Sequence, residues 1–294
     1  MNENPNEGGK TMDIKKADFA GSWYPESPRD CEMDIHSFMS ETKIQPVPDR
    51  EYRAGIVPHA GWYFSGALAC QVIGHLKGQE TPDAIVLFGK HMRPGDKATV
   101  MVQGCLETPL GPIAIHENLA AAYADAFGLR KERASSAGPE NTIELQLPFI
   151  RYFFPDVPLV AMGVPPTGSA GIIGRKTVEI AGKMGLNIKV IGSTDLTHYG
   201  PNYGFTPHGH GQAGVRWVKE VNDPRMIEKM IAMDEEGIVK EALASYNACC
   251  GGAVAAAVSA AKALGAERGE MLAYTTSYDK NPGESLVGYV GLVF

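Results

Sequence analysis

A chain of 294 residues, 44% hydrophobic and with a formal net charge of -7, can bury one large core without covalent staples. Its acidity, with no basic stripe, excludes generic phosphate-backbone binding, so no nucleic-acid partner is expected. No segment reaches the roughly 18 consecutive apolar residues of a membrane span. The five cysteines, odd in number and irregular in spacing, are not a disulfide framework, and they point to a reducing compartment, the cytoplasm.

Residues 1–16 are polar and lack the apolar core of a secretory signal. They are expected to form a flexible tail, followed by a single α/β domain over residues 17–294. Helical spacing runs over residues 29–41, with Cys31, Ile35 and Phe38 on one side. Residues 54–58 read as a buried strand and the stretch after Ser65 as a helix carrying Leu68, Val72 and Leu76. Residues 84–88 form a second buried strand, and 99–103 a third, near an edge. Helices are expected over 116–127 and 141–152. Strands over 159–163 and 188–192 flank a helix at 170–184. Two helical segments fall within 224–245, an alanine-rich helix covers 252–264, and residues 286–294 close the chain as a strand. Apolar strands alternating with amphipathic helices predict a central, mostly parallel or mixed sheet covered by helices on both faces.

In open α/β sheets, ligands bind beyond the carboxyl ends of the strands. His59 follows the first strand, His91 the second, and Asp195 and His198 the strand ending near Gly192; Cys249 and Cys250 lead into a helix. Imidazole and thiolate suit Zn, Fe and Cu and do not suit Mg or Ca. A thiolate at a helix N-terminus is favoured by the backbone N–H groups. These residues also have plainer readings. A histidine after a strand can be a turn residue, Cys250 a small buried apolar side chain, and Glu140 an acid supporting a helix start. His198 can serve only to hold its loop through Asp195. His208 and His210 read as a solvated loop pair. The spacing alone names no function.

Taken together, the motifs resemble the Memo family, whose bacterial and archaeal members are called AmmeMemoRadiSam system protein B. Pro58-His59-Ala60-Gly61-Trp62-Tyr63 is similar to that family's Pro-His-Ala-Gly-Tyr signature. Ala20-Gly21-Ser22-Trp23-Tyr24-Pro25 resembles its N-terminal motif, and Glu140-Asn141-Thr142-Ile143-Glu144 its Glu-His-Ser-Ile-Glu stretch. Ser193-Thr194-Asp195-Leu196-Thr197-His198-Tyr199-Gly200, Cys250-Gly251 and Val287-Gly288-Tyr289 follow in family order.

The resemblance implies the fold of class III extradiol dioxygenases. It implies metal ligation by His59, His91 and Cys250, with His198 as acid/base and Asp195 beside it. Lys90, Glu140, Asn141, Trp62 and Tyr199 are expected around the pocket. Three departures stand out: Lys90 brings a cation next to His91, Asn141 replaces a histidine, and Trp62 replaces a tyrosine. The leading expectation is a non-haem oxidoreductase using Fe(II), with Cu or Zn as alternatives, on a small-molecule substrate. The second is a metal-carrying or peptide-binding protein acting with an AMMECR-type protein and a radical SAM enzyme. A zinc hydrolase ranks third, since no hydrolase motif is present.

Overall fold

The computed structural model describes residues 13–40 and 51–294. Its strands are Ile14–Lys15 (β1), Ala54–Val57 (β2), Ala84–Gly89 (β3), Thr99–Gln103 (β4), Cys105–Leu106 (β5), Ile113–Ala114 (β6), Arg130–Arg133 (β7), Leu159–Gly163 (β8), Ile188–Ser193 (β9), His198–Tyr199 (β10), Glu270–Thr276 (β11) and Leu286–Val293 (β12). The helices are Pro28–Ser40 (α1), Trp62–His75 (α2), Glu117–Phe127 (α3), Asn141–Glu144 (α4), Leu147–Phe153 (α5), Ser169–Lys183 (α6), Gln212–Trp217 (α7), Asp223–Ile231 (α8), Glu235–Ser245 (α9), Gly251–Ala263 (α10) and Ser277–Lys280 (α11).

The main sheet runs in the order β10-β12-β2-β9-β3-β8-β4-β7, with β11 also paired to β12. Its centre, β2-β9-β3-β8, is parallel. Antiparallel pairing begins at β12 on one side and at β4 on the other. The parallel strands are buried throughout, which is why they read as unbroken apolar runs rather than alternating ones. Helices α2, α1 and α5 pack on one face; α10, α6 and α3 pack on the other. Gly192 sits where a Cβ would lie 2.7 Å from the Cβ of Ala257, so the missing side chain lets α10 press close against β9.

The α/β sandwich agrees with the sequence reading, with local differences. The expected helix over 141–152 is broken into α4 and α5. Pro148 supplies the reason: it has no N–H to donate, and its ring clashes with the carbonyl four residues back. Ile14 and Lys15, at the end of the expected tail, pair in parallel with Cys105 and Leu106; the rest of that segment, to residue 12, lies outside the described residues, as does residue 41. Strand β11 was not anticipated, because its residues are mostly half-buried and lack a clean alternation. Among the described residues no helix is long and apolar enough to cross a membrane, and Cys31, Cys249 and Cys250 are free thiols.

Candidate metal centre

Parallel register brings the ends of β2, β3 and β9 to one rim of the sheet: Val57 pairs with Ser193, and Phe88 with Gly192. His59, His91 and Asp195 therefore emerge side by side. Pro58 and Gln146 fix the first turn, the Gln146 amide donating to the Pro58 carbonyl at 2.8 Å. At the second turn Lys90 adopts a left-handed φ of 70°, and its N–H donates to the Thr142 hydroxyl at 2.7 Å. The fourth contributor is the segment before α10. Cys250 is the N-cap of that helix. A Cβ on Gly252 would collide with the Val164 and Pro165 backbone, so this glycine lets the helix start lodge beside the end of β8, while Gly251 lets it pack against Ala242 of α9.

One ligand atom from each of His59, His91, Cys249 and Cys250 lies within 4.8 Å of the others. The His59 Nε2 is 3.2 Å from the Cys249 Sγ, and the two sulfurs are 3.8 Å apart. The His59 and His91 rings meet edge to face with centroids 5.2 Å apart. The other nitrogen of His59, Nδ1, is 2.9 Å from the Ser193 hydroxyl. A hydrogen bond on the far nitrogen is how proteins orient a ligating histidine.

Burial opposes a charged His59, but the Asp195 carboxylate and the Cys249 sulfur outweigh it and hold the ring at about 9. The hydrogen bond to Cys249 raises His91, against its own partial burial. At Cys249 burial pushes the thiol up, yet the Cys250 thiol and the two imidazoles prevail and hold it well below the ordinary value. Burial, then the contact with Cys249, push Cys250 well up. Asp195 is raised by burial, with His59 pulling the other way. The arrangement is one low-lying thiolate facing two imidazoles. A cation at that point would satisfy all of them, so the donor chemistry fits a transition metal.

His59 and His91 of the cluster line a cleft of about 650 Å³. Its walls include Trp23, Tyr63, Phe64, Tyr203 and Tyr289, with Asn141, Asp195 and His198 as polar groups. Asp195 Oδ2 stands 3.9 Å from His59 Nε2 and 4.0 Å from His198 Nε2. The His198 side chain is 32% accessible and stacks edge-on against Tyr203. The Asn141 amide donates to the His59 carbonyl at 3.2 Å.

Several expected pocket residues lie elsewhere. Trp62 is buried in the core, stacked on Phe149 with centroids 4.2 Å apart. Helix α2 starts at Trp62, so one step along it turns Tyr63 to the cleft instead. Tyr199 packs against Phe205 and Trp217 and donates to the Gly209 carbonyl at 2.8 Å. Lys90 and Glu140 line a separate cavity of about 360 Å³ on the far side of His91. The Lys90 ammonium pairs with Glu132, which offsets the charge that the sequence placed beside the ligand. Glu140 caps α4, accepting from the Thr142 N–H at 3.1 Å. His208 stacks on Trp217. Cys249 is the cluster member that sequence reasoning did not select. Its adjacency to Cys250 was the only available hint.

The Memo-like protein family matches residues 15–293. The chain is 34% identical over 289 residues to a MEMO1 family protein of Methanopyrus kandleri, covering 94% of this chain and 96% of that one. It is 32% identical over 290 residues to a MEMO1 family protein of Pyrococcus furiosus, covering 95% and 98%. In structure it is similar to an uncharacterized protein of Escherichia coli K12, with a TM-score of 0.53 and 12% identity, over 83% of this chain and all of that one. This last likeness concerns the fold alone.

Proposed function

The chain belongs to the Memo-like protein family, and on that footing we propose that it is a metal-dependent oxidoreductase acting on a small molecule held in the aromatic cleft. The observation that carries this reading is the convergence of His59, His91 and the cysteine pair, with both histidines lining an open, aromatic-walled cleft. His59 and His91 would hold the metal with a cysteine thiolate. Family resemblance favours Fe(II), with Cu or Zn as alternatives. When bound, the metal would polarise or oxidise an oxygen-bearing substrate.

The chain's own residues would supply positioning and proton transfer. Trp23, Tyr63 and Tyr203 offer flat apolar faces to a planar substrate. His198, partly exposed and close to Asp195, can take a proton from a substrate hydroxyl and pass it to solvent. Asp195, buried and bonded to the His59 backbone, holds that exchange in register. Anaerobic loading with Fe(II) or Cu(I), followed by O2 uptake with a panel of catechols, tests this. Metal-dependent uptake with at least one of them supports the enzyme, and none with any sinks it.

A second reading, metal carriage, is favoured by the presence of two sulfurs rather than one. Soft donors bind soft ions tightly and leave fewer positions for substrate. In that case the partners would be the AMMECR-type and radical SAM proteins that family resemblance suggests. Transfer of a loaded metal to such a partner, measured by competition with a chelator, separates carriage from catalysis. The free thiols of Cys31, Cys249 and Cys250 fit a cytoplasmic setting for either reading.

A further inference from the structure

We propose that Cys249 ligates the metal together with Cys250, so that this chain builds a four-donor His2Cys2 site that selects Cu(I) or Zn(II) over Fe(II). This rests on the metal reading above and changes its donor set.

Three observations carry it. First, the two spacings made by Cys249 are close to those of one tetrahedral shell, and all four donor atoms lie within 4.8 Å of one another. With metal–sulfur and metal–nitrogen bonds of about 2.3 and 2.0 Å, two sulfurs lie roughly 3.8 Å apart and a sulfur and a nitrogen roughly 3.5 Å apart. The cysteine sulfurs are 3.8 Å apart, and His59 Nε2 is 3.2 Å from Cys249 Sγ. Second, Cys249 is the sulfur nearer the imidazoles. Its N–H donates to the Asp195 carbonyl at 3.1 Å, and its Sγ accepts the Asp195 N–H at 3.3 Å. Such a pair of bonds fixes a side chain and stabilises a thiolate, as the outer groups around a ligand do. Third, the backbone permits both sulfurs on one side. In an extended chain neighbouring side chains point to opposite faces. Here Cys250 has φ −123° and ψ 49° as the chain turns into α10, and its N–H is held by the Thr194 hydroxyl at 3.1 Å. The bend brings both sulfurs toward the two histidines. Two thiolates and two imidazoles would form a soft set, which suits Cu(I) and Zn(II).

The test is anaerobic cobalt(II) substitution of the full chain, read by sulfur-to-cobalt charge-transfer absorption per bound cobalt. Wild type, Cys249→Ser, Cys250→Ser and the double variant are compared. Each single variant is expected to lose about half of that absorption and the double variant all of it, as two metal–sulfur bonds require. A Cys249→Ser or Cys250→Ser protein that keeps the whole wild-type band would overturn the proposal. X-ray absorption at the zinc edge of the wild type gives a count that needs no variant to fold. Two sulfurs support the proposal, and one refutes it. If wild type takes up neither cobalt nor zinc, the metal reading itself fails, which is a distinct result.

Discussion

Asp195 grips His59 from two directions: its Oδ1 accepts the His59 backbone N–H at 2.7 Å, while its Oδ2 faces the imidazole at 3.9 Å. The first contact sets where the chain leaves β2, and the second sets the charge beside the ring. Asp195→Asn keeps an acceptor for the backbone and removes the charge. Its metal affinity is expected to fall about 10-fold, the lower end for loss of an outer-shell group, with little change in thermal stability. Competition with a chromophoric chelator measures the first, and a melting curve the second. An unchanged affinity would show that the carboxylate charge does not support the cluster.

His198 touches none of the four donors by hydrogen bond and is partly open to solvent. His198→Ala should leave metal content at the wild-type level. Any catalysed O2 uptake should fall by about 10²-fold or more, the usual loss when a general acid/base is removed. If uptake is unchanged while metal is bound, His198 does not move the proton.

Asp223 is not one of the cluster's donors and is buried between Thr197 and Tyr274. It accepts the Thr197 N–H at 3.1 Å and the Tyr274 hydroxyl at 2.8 Å. Burial outweighs these bonds and pushes its carboxyl up to about 6, from an ordinary 3.8. Between those values the folded chain holds a proton that the unfolded chain has released, so stability falls as pH rises and levels off above about 6. Asp223→Asn is neutral throughout and lacks this fall. Urea unfolding at pH 4.5 and pH 7 should show wild type losing about 2 kcal/mol relative to the variant across that interval. A constant difference would mean that Asp223 titrates normally.

Gly174 on α6 sits against the backbone carbonyl of Ala256 on α10, and an added Cβ would overlap it. Backbone cannot swing aside as a flexible side chain can. Gly174→Ala should therefore destabilise the fold by about 3 kcal/mol, the upper part of the range for overpacking. Metal stoichiometry in the surviving folded protein should be unchanged. Chemical unfolding checks the first point and elemental analysis the second.

The sheet centre was legible because β2, β3, β8 and β9 are buried on both faces and so carry unbroken apolar runs. His59 and His91 were legible because each sits one or two residues past such a run. Finer orientation was not. Trp62 and Tyr63 differ by one step along α2, and only the point where the helix starts decides which ring turns inward. Cys249 is not singled out by the sequence because the family resemblance matches Cys250-Gly251; the bend at Cys250 is what brings the neighbouring sulfur to the same side. Helix 141–152 read as continuous because its apolar spacing carries through Pro148, while the backbone does not.

The most direct test of the central claim is metal content, by elemental analysis of protein purified without oxygen, for wild type and for the His59→Ala, His91→Ala double variant. The account predicts about one Fe, Cu or Zn per wild-type chain, as one shared donor cluster requires, and none in the variant. A wild type that is empty and also refuses added Fe(II), Cu(I) and Zn(II) would contradict it.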